Sequence, residues 1–250
     1  MPPSPVPKRE TFEVPQAFAQ ALALHTQGQL NEAERIYSEV LAHRPDHFDA
    51  LQMLSVIKLA KSQPAEVLRL ISQAMRMRKP SPQILVNYGM ILHALERREE
   101  ALASFDEALK QKSKFAEAHN NRGAVLSALG RNAEAIDCFH KALALKADYA
   151  DAHYNLGSSL RVLGRYDEAL TSLNRALALR PNYPKALNNR ANVMEGLNRL
   201  PEALVDYEHA LALDSGFTEA RNNRGRVLLG LDRADDAVDN FTTALKINPR

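Results

Sequence analysis

The 250-residue chain has no tryptophan, one cysteine and few aromatic residues (6%). A lone thiol, Cys138, excludes an internal disulfide and fits a reducing compartment, so a soluble cytoplasmic protein is expected. No apolar run approaches the roughly 18 residues that span a bilayer. The opening MPPSPVPKRE lacks the apolar core of a secretory signal. An excess of one charge is missing as well. The 32 Lys and Arg nearly balance 30 Asp and Glu, for a net charge of +2, and the signs are intermixed. Neither nucleic acid nor an anionic membrane is therefore favoured as a partner. Glycine-rich phosphate loops, zinc-ligand spacings and serine elbows are all absent, so no catalytic centre, cofactor or metal is expected.

What the chain does have is a period. AHNNRGAVLSALGRNAEAIDCFHKAL, AHYNLGSSLRVLGRYDEALTSLNRAL and ALNNRANVMEGLNRLPEALVDYEHAL begin at Ala118, Ala152 and Ala186, 34 residues apart. Without insertion or deletion the frame extends to seven units starting at Val14, Phe48, Pro82, Ala116, Ala150, Pro184 and Thr218. Its columns read as two antiparallel helices. The eighth position is small throughout (Ala21, Ser55, Gly89, Gly123, Gly157, Ala191, Gly225), and so is nearly all of the twentieth (Ala33, Val67, Ala101, Ala135, Ala169, Ala203, Ala237). Small residues there let the two backbones approach. Bulk fills the twenty-fourth position: Tyr37, Ile71, Phe105, Phe139, Leu173, Tyr207 and Phe241. Gly28, Gly130, Gly164, Asn198 and Asp232 share the column where the first helix must turn, and these residue types accept a left-handed cap. Pro64 and Pro201 open second helices; Pro45, Pro181 and Pro249 stop them. The fold expected is all-α, an array over residues 14–250 (units 14–47, 48–81, 82–115, 116–149, 150–183, 184–217 and 218–250), preceded by a proline-rich extended or disordered tail at 1–13.

These phrases, among them AHYNLG, DEAL and NRALALRP, resemble the tetratricopeptide repeat over residues 14–250. The aromatic usual at the fourth position is missing; Ala17, Leu51, Leu85, His119, His153, Leu187 and Arg221 stand there. The related 35-residue RNA-reading repeats fit poorly in period and charge. The resemblance implies a right-handed α-solenoid superhelix, a non-catalytic scaffold for protein partners. Its concave groove would be lined by the first helix of each unit and filled by an extended peptide or a partner helix.

Position 6 carries Asn87, Asn121, Asn155, Asn189 and Asn223 in five successive units, and Asn120, Asn188, Asn192, Asn222 and Tyr154 add polar groups to the same surface. A carboxamide both donates and accepts, so a column of them can pair with a peptide backbone irrespective of its sequence. Each bond contributes about 0.5–1.5 kcal/mol net. The alternative is that the amides bond one another, neighbouring helices or water. The ladder, with its NNRG phrases, resembles the repeat region of O-linked N-acetylglucosamine transferases and SPINDLY-type proteins. That resemblance implies a substrate-recognition arm whose catalytic domain lies outside this chain. A carboxylate clamp for chaperone C-termini would begin at Lys185, Asn189 and Asn223, but its third unit would lie past Arg250.

At the other end Phe18, Leu22, Met53, Val56 and Met90 make the groove apolar, as a second peptide pocket, a dimer contact or a seat for the tail. Arg97, Arg131, Arg165, Arg199 and Arg233 recur at position 16, followed closely by acids, and read as an acid-paired solvated edge. His119, His153, His43 and His47 read as packing residues, not metal ligands. Cys138 reads as a structural thiol. The sequon at Asn240 falls in a helix beside a core Phe241. Phe241, Ala244 and Leu245 lack a following unit, which suggests a longer parent protein or self-association through the repeat ends, and so a homo-oligomer.

Overall fold

The computed structural model describes residues 12–77 and 79–248; the proline-rich segment 1–11 and Pro249 lie outside them. The described residues form fourteen α-helices and no strand. The first helices are α1 (Val14–Thr26), α3 (Phe48–Ala60), α5 (Pro82–Ala94), α7 (Ala116–Ala128), α9 (Ala150–Val162), α11 (Pro184–Gly196) and α13 (Thr218–Gly230). Each is followed by its second helix: α2 (Leu30–His43), α4 (Pro64–Met77), α6 (Arg98–Gln111), α8 (Asn132–Leu145), α10 (Tyr166–Leu179), α12 (Leu200–Leu213) and α14 (Ala234–Ile247).

The turn inside each unit is made by one residue with positive φ: Gly28, Ser62, Glu96, Gly130, Gly164, Asn198 and Asp232. The amide of the next residue then reaches back five residues, as Arg131 N–H does to the Leu126 carbonyl at 2.9 Å, satisfying an otherwise orphaned helix end. Ser62 and Glu96 hold this left-handed conformation without glycine's freedom, at φ of 55° and 59°. Arginine follows the turn in five units. It folds onto the acid three residues on, as Arg131 does onto Glu134 at 2.7 Å, and the other four (Arg97, Arg165, Arg199 and Arg233) pair with Glu100, Glu168, Glu202 and Asp236. The acid-paired edge expected of this column is what forms.

The small eighth position meets the bulky twenty-fourth rather than the opposite backbone alone. A Cβ on Gly123 would stand 2.6 Å from Phe139, and one on Gly89 2.7 Å from Phe105. At Gly157 the facing backbone crowds too, with the Ala169 carbonyl at 3.1 Å. Phe105 and Phe139 are fully buried, a burial that contributes about 1.5–3 kcal/mol each.

The helix pairs fall into two compact units, residues 1–111 and 112–250. The N-terminal body holds α1–α6. Its core is aliphatic: Val40, Leu51, Leu54, Ile57 and Leu70 around Tyr37, and a second group of Val67, Ile71, Ile84 and Ile91. Burial pushes the Tyr37 hydroxyl up to about 12, and its oxygen has no hydrogen-bond partner. The C-terminal body holds α7–α14, where fully buried alanines (Ala118, Ala135, Ala152, Ala169, Ala186, Ala203 and others) bring helices close. There α7, α9, α11 and α13 also touch one another in succession, so the first helices share one closely packed face.

Candidate peptide-binding face

The amide column lies on that face and is largely occupied. Asn155 donates from Nδ2 to Asn120 Oδ1 of the preceding unit at 3.0 Å, and Asn223 does the same to Asn188 at 3.1 Å. Between these two rungs Asn189 sits beside the Tyr154 hydroxyl. Position 6 of one unit thus answers position 5 of the unit before it by a hydrogen bond at two steps of the C-terminal body. Asn120 also donates to Asn121 (3.3 Å), Asn188 to the Glu219 carboxylate (3.1 Å), and Gln83 to Asn87 (3.2 Å). Asn120, Asn188 and Asn189 are buried, while Asn222 is exposed. Tyr154 packs against Tyr183 with ring centroids 5.0 Å apart. The phenols of Tyr154 and Tyr183 are raised above their ordinary range by burial.

Two members of the predicted set open onto free space. Asn192 and Asn223 line a groove of about 450 Å³ with Arg161, Glu195, Gly196, Glu219 and Arg226, drawn from α9, α11 and α13. Most of this lining is held by internal partners. Arg226 grips both oxygens of Glu195 at 2.7 and 2.8 Å. The buried Tyr207 hydroxyl donates to Asn192 Oδ1 at 2.6 Å. Arg161 differs: its Nε is buried without a hydrogen-bond partner, and it forms no ion pair among the described residues. Sequence reasoning passed over Arg161 and Arg226, although an arginine on the groove side of a first helix was a readable signal.

The apolar set of the N-terminal body separates into two. Leu22, Val56 and Met90, all at position 9, are exposed. Phe18 and Met53 instead pack against the core, Phe18 lying between Tyr37 and His47 at centroid distances of 5.7 and 4.9 Å. A large side chain at position 5 or 6 reaches the seam between helices, where position 9 does not.

His119, His153, His43 and His47 are each held by internal contacts. His119 and His153 each bond a carbonyl of the preceding inter-unit loop, Ser113 and Ala147, at 2.9 Å, and Arg221 in the same column bonds Ser215. His43 stacks on Phe12 at 4.1 Å, and His47 caps α3 by accepting from the Ala50 amide. Cys138 is buried, with Arg122 Nη1 3.0 Å from its sulfur. Asn240 of the sequon is buried and bonded to the Asp236 carbonyl and to Arg224. Among the described residues no helix is long and apolar enough to cross a membrane.

No curated protein sequence matches the chain. Among solved structures, the Cut9–Hcn1 hetero-tetramer of the APC/C gives a TM-score of 0.78 at 20% identity over 88% of this chain, which spans 43% of that chain's length. A tetratricopeptide-repeat protein from Parabacteroides merdae gives 0.76 at 19% identity, covering 94% of this chain and 93% of that one. At such identities the likeness is one of fold. YrrB, described as a TPR protein with an unusual peptide-binding site, is 28% identical over 72% of this chain and 92% of its own, with a TM-score of 0.56. Residues 120–184 and 218–250 match the tetratricopeptide-repeat family and residues 89–130 its TPR-repeat description, together more than half of the sequence. With seven helix pairs of that design in the structure, the chain belongs to the tetratricopeptide-repeat family, whose fold is typically a non-catalytic scaffold for protein–protein interaction.

Proposed function

We propose that the chain is a binding module that seats an extended segment of a partner protein on the first-helix face of its C-terminal body. The observation that carries this reading is the polar groove of α9, α11 and α13, in which Asn192 and Asn223 lie beside an arginine, Arg161, that lacks an internal acid. A buried guanidinium nitrogen without a partner costs desolvation energy that a ligand's carboxylate or carbonyl would recover. The peptide site of YrrB, a protein of the same family, is a further support. The rungs of the amide column are engaged with each other, so the working surface is this groove rather than a continuous ladder of free amides. Affinity in the micromolar range is expected, because a few polar bonds must offset the ordering of the peptide.

The test is to pan a phage library of unstructured octapeptides against the protein and synthesise the enriched sequences. Arg161→Ala combined with Asn223→Ala should weaken their binding at least about tenfold, a loss of about 1.4 kcal/mol. Arg97→Ala, on the N-terminal body, should leave binding unchanged. Peptides that bind the double variant as tightly as the wild type would overturn the reading.

A further inference from the structure

The opposite side of the C-terminal body has a seam that its own repeats show how to close. At the seventh position of the sixth unit, Arg190 crosses to the second helices. It forks onto Asp206 of α12 at 2.6 and 2.7 Å and reaches Asn174 of the preceding α10 at 2.7 Å. In the seventh unit Arg224 repeats the pattern, bonding Asn240 of α14 at 3.3 Å and Glu208 of the preceding α12 at 3.0 Å. One arginine therefore fills the space between two consecutive second helices at each step.

In the fifth unit the same column holds Leu156, and the column of Asp206 holds Ser172. A leucine side chain is three heavy atoms shorter than arginine, so the seam between α8 and α10 stays open. It is a groove of about 570 Å³ lined mainly by Leu143, Leu156, Ser172, Ala178 and the two histidines His140 and His153. Leu156 is buried in its floor. Where Arg190 and Arg224 met carboxylate or amide oxygens, Ser172 spends its hydroxyl on the Glu168 carbonyl. His153 is tied to the Ala147 carbonyl. The mouth is basic: Arg175 lines it, is exposed and has no acidic partner among the described residues. Glu168, at the start of α10, is already held by Arg165.

We infer that this groove is a second binding site, which takes a large apolar side chain of a partner presented next to a carboxylate. The slot is dimensioned for a long side chain, because its counterparts hold arginine. Its floor has lost the acids that would hold a guanidinium, which leaves an uncharged chain as the occupant. The unpaired Arg175 at the mouth selects an acidic neighbour by charge. The site is separate from the first-helix face, and either can fail without the other.

The probes are three blocked pentapeptides, acetyl-Asp-Glu-Phe-Glu-Asp-amide, its alanine-for-phenylalanine version, and acetyl-Lys-Lys-Phe-Lys-Lys-amide, titrated into isotopically labelled protein. The acidic phenylalanine peptide should shift the amides of Leu156, Ser172 and Arg175 and bind at least about tenfold more tightly than either control. Leu156→Arg with Ser172→Asp, which installs the closure of the sixth unit, should abolish those shifts while the fold is retained by circular dichroism. Arg175→Glu, an exposed substitution, tests the mouth alone and should reverse the preference between acidic and basic peptides. Equal binding of the three peptides, no binding at millimolar concentration, or unchanged affinity in either variant would overturn the proposal.

Discussion

The two bodies are built from the same helix pair but closed by different chemistry. In the N-terminal body, position 5 of its last unit holds Val86 and the buried groups between helices are apolar, Leu, Ile, Val and Ala with the rings of Tyr37 and Phe105; Ser55 and Ser104 are its buried polar side chains among the described residues. Polar links between its units lie toward solvent: Glu34 meets Lys58 at 2.6 Å and also holds Lys61, and Gln73 donates to the Pro45 carbonyl at 2.8 Å. In the C-terminal body, Asn120, Asn188, Asn189, Asp206 and Asn240 are buried in or beside the seams. There every buried group needs a partner of correct geometry, so the register of one unit on the next is specified by hydrogen bonds as well as by shape. The price of that specification is that few of the amides remain for a ligand.

Breaking a polar seam should have the largest effect. Arg190→Ala leaves the buried Asp206 carboxylate without its cation and should cost about 3 kcal/mol in denaturant unfolding. Arg190→Leu with Asp206→Ser, the pair the fifth unit carries, should recover most of that loss. If the double variant is as unstable as the single one, the seams are not interchangeable in the way the repeats suggest. The pairing within a unit should by contrast respond alike in both bodies. Gly89→Ala and Gly123→Ala each drive a Cβ to 2.7 or 2.6 Å from a buried ring and should cost about 1–3 kcal/mol apiece. A difference beyond about 1 kcal/mol between them would mean the bodies differ in more than their seams. The smallest change is favourable and belongs to the N-terminal body: Glu96→Gly relieves a left-handed glutamate and should raise its stability by about 1 kcal/mol. The equivalent turn of the sixth unit, already Asn198, should gain less from the same replacement.

Much of this was legible in the sequence. The period placed the turns, because left-handed residues and prolines act within a few residues of themselves. It did not reveal Ser62 and Glu96 as members of the turn column, since neither residue type signals positive φ; only their register does. The pairing of Gly123 with Phe139 was half visible, as a small column and a bulky one whose contact needed coordinates. The candidate site was less legible. An asparagine on a first helix looks the same whether it faces a ligand or another asparagine 35 positions away. Exposure likewise divided Phe18 and Met53 from Leu22, Val56 and Met90, although all five are apolar.

By itself, then, the sequence determined the repeat, its helix boundaries and its family, since each rests on local spacing that every unit restates. Tertiary structure alone decided that the column of amides is spent on rungs, that Arg161 is left without an acid, that the chain divides near residue 111, and that Leu156 leaves a seam open. Each of those depends on which side chains meet across units, and a periodic sequence offers the same neighbours at every step while the packing accepts only some of them.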